Sequence, residues 1–161
     1  MSGADGTRRV LLLALDPRLS DRVLAFAAEL TARRVEVLLV VAAEAAAGPG
    51  IDPGVRVRWL LGAGERTPLR ALENLLVRPA PANRVGRLAR RVPGLLYGQL
   101  RAALLARRGV RRLRPDELGH IDAIVAGDID SVALGCRLAR RRPGVLATSA
   151  LKLELLADRA A

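Results

Sequence analysis

The sequence predicts an α/β protein built on a doubly wound parallel sheet of about five strands. Three observations predict it. Short, continuous apolar runs recur along the chain, as strands buried on both faces require. Between them lie segments whose apolar residues recur at helical spacing. The first strand, helix and second strand follow each other within one βαβ length, which implies a parallel, right-handed crossover.

Arg9 to Leu15 (RVLLLAL) is the first strand. Asp16-Pro17-Arg18-Leu19-Ser20 is a turn, and Ser20 can cap a helix running to about Arg34. Val23, Phe26, Ala27 and Leu30 share one face of that helix. Val35 to Val41 (VEVLLVV) is the second strand, and Ala42 to Gly54 is a loop of small residues. Val55 to Leu61 (VRVRWLL) is the third strand, closed by Gly62-Ala63-Gly64. Thr67-Pro68 starts a helix to about Val77, with Thr as cap and Pro at the first helical position. Arg78 to Asn83 (RPAPAN) breaks it.

Segment 84–114 has helical composition, is interrupted at Pro93-Gly94, and carries an apolar stripe of Leu95, Leu96, Leu100, Leu104 and Leu105. Arg114-Pro115-Asp116 ends it. Ile121 to Val125 is the fourth strand. A helix from Ile129 or Asp130 to Arg142 follows, its arginines at the C-terminal end where they complement the dipole. Val145 to Thr148 is the fifth strand. The alternation is Rossmann-like, with expected strand order 3-2-1-4-5, and ligands of such sheets bind beyond the carboxyl ends of the strands. Attention therefore falls on loops 16–20, 42–54, 62–67, 126–131 and 149–155. The domain is expected to span 9–155, between a flexible N-terminus (1–8) and a truncated or frayed C-terminus (156–161).

The chain has 161 residues, enough for one ordinary domain, and 51% of them are hydrophobic. One Phe, one Trp and one Tyr make the expected core aliphatic. Cys136 is alone, so an internal disulfide and a multi-cysteine metal site are both impossible. Cys136 is expected as a small core residue, and His120 as a surface residue at the amino end of strand four. No secretory or membrane-spanning stretch is legible, and a cytoplasmic location is expected. The net charge of +11 is local. Segment 84–114 holds ten arginines and no acid; without those ten, 17 basic residues face 16 acidic ones.

Segment 115–151 reads PDELGHIDAIVAGDIDSVALGCRLARRRPGVLATSAL. It resembles the family 4 glycosyltransferases at the fourth strand of their N-terminal domain. The likeness lies in the Arg-Pro-Asp lead, in Asp122 opening the strand, in the loop Ala126-Gly127-Asp128-Ile129-Asp130-Ser131, and in Val145-Leu146-Ala147-Thr148. At the front, the helix, the turn at Arg33-Arg34 and the strand Val35-Glu36-Val37 are similar in outline, with Arg34 where the family usually has glycine. The resemblance implies one half of a GT-B type, two-Rossmann architecture, with this half forming the acceptor pocket. It implies sugar transfer from a nucleotide-sugar to an acceptor hydroxyl without a metal. The donor is expected only with a C-terminal domain or a separate chain, so this half needs no cofactor and is expected to be inactive alone. Two features depart from the family: the first loop lacks the glycine pair many members have, and Gly127 stands where many place a histidine near the reaction centre.

Candidate substrate-binding residues are Asp16, Arg18, Gly127, Asp128, Asp130 and Ser131. Asp128 and Asp130 can accept hydrogen bonds from acceptor-sugar hydroxyls, unless Asp130 or Ser131 only caps the helix. Asp16 faces the cleft or forms an Asx turn before Pro17, and Arg18 is placed to meet a phosphate. No catalytic residue is assigned. The glycines at 62–64 are a plain turn rather than a phosphate loop, since they follow strand three and lack a third glycine. For the arginine segment, candidates for docking on an anionic membrane surface are Arg87, Arg90, Arg91, Arg101, Arg107 and Arg108. Membrane-associated members of the family use their N-terminal domain this way, which implies a peripheral position at the inner membrane face. The alternative is a solvated basic face. Nucleic acid is disfavoured, because no aromatic beyond Tyr97 interleaves the arginines and no binding signature is present. The competing functional class is a non-catalytic Rossmann- or flavodoxin-like module that binds a ligand or partner.

Overall fold

A computed structural model of the chain describes residues 8–16, 18–43, 50–62, 84–113, 115–152 and 154, and for 84–97 and Pro115 the backbone alone. Its elements are β1 (Arg9–Ala14), α1 (Asp21–Ala32), β2 (Glu36–Ala43), β3 (Arg56–Leu61), α2 (Arg84–Arg112), α3 (Pro115–Leu118), β4 (Ala123–Ala126), α4 (Ile129–Arg141) and β5 (Leu146–Thr148). The five strands form one sheet in the order β3-β2-β1-β4-β5, and every pairing is parallel. This is the α/β, Rossmann-like arrangement the sequence predicts. The helix expected over 67–77, the break at 78–83, and residues 44–49 and 63–67 of the expected loops lie outside the described residues.

The alternation of side chains along each strand divides the core into two layers. Leu11, Leu13, Leu38, Val40 and Ile124 face α2 and α4, where Leu105, Ala106, Leu134 and Leu138 meet them. Val10, Leu12, Val37, Leu39, Val41 and Val125 face α1, against Val23, Phe26, Ala27 and Leu30. Central strands covered on both faces must be apolar at every position, hence the unbroken run in β1. Burying one such leucine contributes roughly 1.5–3 kcal/mol.

α1 begins where expected. The Ser20 side chain accepts from the Val23 amide at its N-terminus. Its far end closes in a Schellman motif: Val35 N–H donates to Leu30 C=O at 3.0 Å and Arg34 N–H to Thr31 C=O at 2.9 Å. The motif needs a left-handed residue at Arg34, whose φ is 60°.

The break expected at Pro93-Gly94 is corrected. α2 runs as one helix of 29 residues from Arg84 to Arg112. An internal proline deletes one backbone bond and bends a helix without having to end it. The Ala, Leu and Arg residues on both sides are strong helix formers. Cys136 is also corrected: it is exposed. The core-facing residues of α4 are Ser131, Leu134, Gly135 and Leu138, and position 136 lies one step round the helix from them. His120 is exposed in the turn before β4, as expected. No helix among the described residues is long and apolar enough to cross a membrane.

Candidate functional site

The carboxyl ends of β1, β4 and β5 lie side by side in the sheet, so the loops leaving them share one rim. β1 leads into Asp16. The Asp16 carboxylate accepts from Arg18 N–H at 2.7 Å, a local Asx turn. The Arg18 residue is exposed.

β4 leads into Gly127, whose N–H donates to the Leu13 carbonyl at 2.7 Å and so carries the β1–β4 ladder one residue beyond the strand. A Cβ at 127 would stand 2.8 Å from Val23 Cγ2 and 3.0 Å from the Leu13 oxygen. α1 and the end of β1 thus close the space a histidine would need.

Asp128 is the N-cap of α4, which corrects the expectation that Asp130 or Ser131 holds that place. Its Oδ1 accepts from Ser131 N–H at 2.8 Å, and Ser131 Oγ accepts from Asp128 N–H at 3.3 Å, completing a capping box. Its Oδ2 accepts from Asp16 N–H at 3.0 Å. One carboxylate therefore fastens the β1 loop to the start of α4. Ser131 is fully buried, and its hydroxyl also donates to the Asp128 carbonyl at 2.7 Å. It is a structural residue and offers no surface to a ligand.

Asp130, in the first turn of α4, pairs with Arg101 of α2. Burial raises its pKa above the ordinary 3.8; the Arg101 guanidinium opposes that rise, while Asp128 and Asp16 add to it. Its oxygens serve the helix–helix contact rather than an open acceptor pocket. Arg101 is only 5% exposed, so it leaves the set of membrane-surface candidates. Arg108 is half-buried, and its Nε donates to the Leu60 carbonyl at the end of β3 at 2.8 Å. A helix packed on a sheet turns every third or fourth residue inward, and arginines at those positions find buried acceptors. Arg107 is exposed, and the side chains of Arg87, Arg90 and Arg91 lie outside the described residues.

Beside this rim, on the α1 side of the sheet, an open groove of about 580 Å³ is walled by the capping Ser20, by Arg22, Ala25, Phe26 and Glu29 of α1, and by Gly127, Ser149, Ala150, Leu151 and Lys152. Gly127 alone among the expected site residues lines it. The loops at 16–20, 126–131 and 149–155 were legible from the topology. Arg22 and Lys152 were not singled out, because one reads as an ordinary first-turn helix residue and the other follows the last strand. A second groove, of about 330 Å³, opens among Arg9, Glu36, Arg56, Arg58 and Glu117. Its charges are spent on each other: Arg9 and Arg56 pair with Glu36 at 2.6 and 3.1 Å, and Arg58 pairs with Glu117. Among the described residues no group of three or more His, Cys, Asp and Glu is placed to hold a metal ion.

No family model matches the chain, and no curated protein matches it.

Proposed function

We propose that this chain is the acceptor-side half of a two-domain glycosyltransferase, that it binds its acceptor in the groove between α1 and the 149–152 segment, and that it does not transfer sugar by itself. The observation that carries this reading is the place of the groove: it lies at the carboxyl ends of β4 and β5, beside the start of α1, in a 3-2-1-4-5 sheet. The groove has hydroxyls at Ser20 and Ser149 and charges at Arg22, Glu29 and Lys152, which suit a hydroxyl-rich ligand. The likeness of segment 115–151 to the family 4 glycosyltransferases supports the same reading. Asp16, Asp128 and Asp130 then shape the rim rather than touch the sugar.

The second reading, a non-catalytic binding module, is favoured by the closed space at Gly127, which leaves no room there for the family's histidine. A cytoplasmic chain docked on the inner membrane face through α2 belongs to the proposal too. It is supported by the exposed Arg107, Arg111 and Arg112 on a helix without an acidic residue.

The test is an amide-resolved NMR titration of the 15N-labelled chain with neutral and phosphorylated hexoses. It is paired with an assay for nucleoside diphosphate released from nucleotide-sugars. Shifts centred on Gly127, Ala150 and Lys152 with no release by the chain alone are expected. Shifts centred on Glu36 and Arg58, or none with any sugar, overturn the site. Release that begins when a donor-binding domain is supplied separates the first reading from the second.

A further inference from the structure

The groove's charges are not balanced within the fold. Arg22 and Lys152 both line it. Neither has an ion-pair or hydrogen-bond partner among the described residues. The one carboxylate in the wall, Glu29, is occupied by Arg33 at 3.1 Å, four residues on along α1. The other cavity with converging charges behaves differently, since there every arginine has a glutamate. Lys152 is also the only lysine in a chain whose other basic residues are all arginine.

Two cations of different geometry thus line one groove, one on α1 and one on the segment after β5. Arg22 presents a planar fork suited to two oxygens of a phosphate or carboxylate, and Lys152 a point charge. Ser20, Ser149 and the largely buried Phe26 complete a lining that suits the remainder of a sugar.

We propose that the ligand of this groove is anionic, a sugar or polyol carrying a phosphoryl or carboxylate group held between Arg22 and Lys152. The proposal rests on the reading of this groove as the ligand site and adds its charge class. The anionic group has two possible sources, a free phosphorylated sugar or a lipid headgroup, and both present the same oxygens.

The lone lysine supplies its own probe. Reductive methylation with 13C-formaldehyde keeps the charge and gives one side-chain dimethylamine signal, from Lys152, beside that of the N-terminal amine. Titration with glucose 6-phosphate is expected to shift the Lys152 signal to saturation, while glucose leaves it in place. Arg22→Gln is expected to weaken that binding by about tenfold or more, as loss of a charge-assisted hydrogen bond does, with the thermal midpoint unchanged because Arg22 is exposed. Phosphatidylglycerol vesicles that erase the signal, where soluble glycerol phosphate leaves it unchanged, assign the anion to a membrane. Equal shifts by glucose and glucose 6-phosphate keep the groove as a sugar site and overturn the anionic class. Amide shifts at Gly127 and Ala150 with the Lys152 signal unmoved by either ligand do the same. If amides and Lys152 both stay silent toward every probe, the groove itself fails.

Discussion

At Gly127 an added methyl group would stand 2.8 Å from Val23 Cγ2 and 3.0 Å from the Leu13 carbonyl oxygen. The valine can move a little, but the oxygen is held by the Gly127 amide itself at 2.7 Å. Gly127→Ala is therefore expected to destabilise the fold by about 1–3 kcal/mol, as overpacking in a closed space does. Urea unfolding measures it, with Gly98→Ala as control. A Cβ at Gly98 meets nothing within 4 Å, and alanine is the better helix former there by up to about 1 kcal/mol. Equal effects at the two sites would show that the contact at 127 relaxes freely. Arg34 makes the opposite case. Its φ of 60° is a left-handed conformation that glycine adopts without steric cost. Arg34→Gly is expected to leave stability unchanged or to raise it by up to about 1 kcal/mol, the relief of strain being offset by the freer unfolded chain. A loss of stability would mean that the arginine side chain contributes more than its backbone costs. The sequence marks both positions, one as a glycine after a buried strand and the other as an arginine between a helix and a strand. It does not state that the first is filled by Val23, because that contact joins residues more than 100 apart in the chain.

The element that orders the rim beside the groove is α4, and there the sequence is half legible. The loop Gly127-Asp128-Ile129-Asp130-Ser131 announces a helix start after a strand. Which of three polar residues caps it depends on where the backbone turns, and Asp128 wins because it can also reach the Asp16 amide at 3.0 Å. Asp130 then falls in the first turn, facing α2. No local pattern pairs it with Arg101, since that contact needs α2 laid along α4. The pairing has a consequence in pH. Burial holds the Asp130 pKa above 3.8, so the folded chain binds this proton more readily than the unfolded chain. The stability it contributes is fully present below 3.8 and is lost as pH rises through the raised value. The urea midpoint of the wild-type chain, less that of Asp130→Asn, is expected to fall across this mildly acidic window and to be flat at neutral pH. A difference that grows with pH would show the Arg101 attraction outweighing burial.

Across the described sheet, burial and strand pairing fall from the middle to the edge. β1 is paired on both sides, and Leu11, Leu12 and Leu13 are fully buried. β5 is three residues long, is paired among the described residues to β4 alone, and has Ala147 exposed. Native-state hydrogen exchange is therefore expected to give β1 amides the full unfolding free energy, and β5 amides a clearly smaller value set by local opening. Equal values would mean that the sheet opens only as one unit. The grading bears on the groove, because its Ser149–Lys152 wall hangs from β5, while its other wall is α1, packed on the centre of the sheet. A ligand that bridges the two walls ties the labile edge to the stable middle. At a hundredfold excess over its Kd it adds about 2.7 kcal/mol to every opening that breaks the site. That gain is expected first at the β5 amides, where opening is easiest. A ligand that protects β1 and leaves β5 unchanged is bound somewhere other than between α1 and the segment after β5.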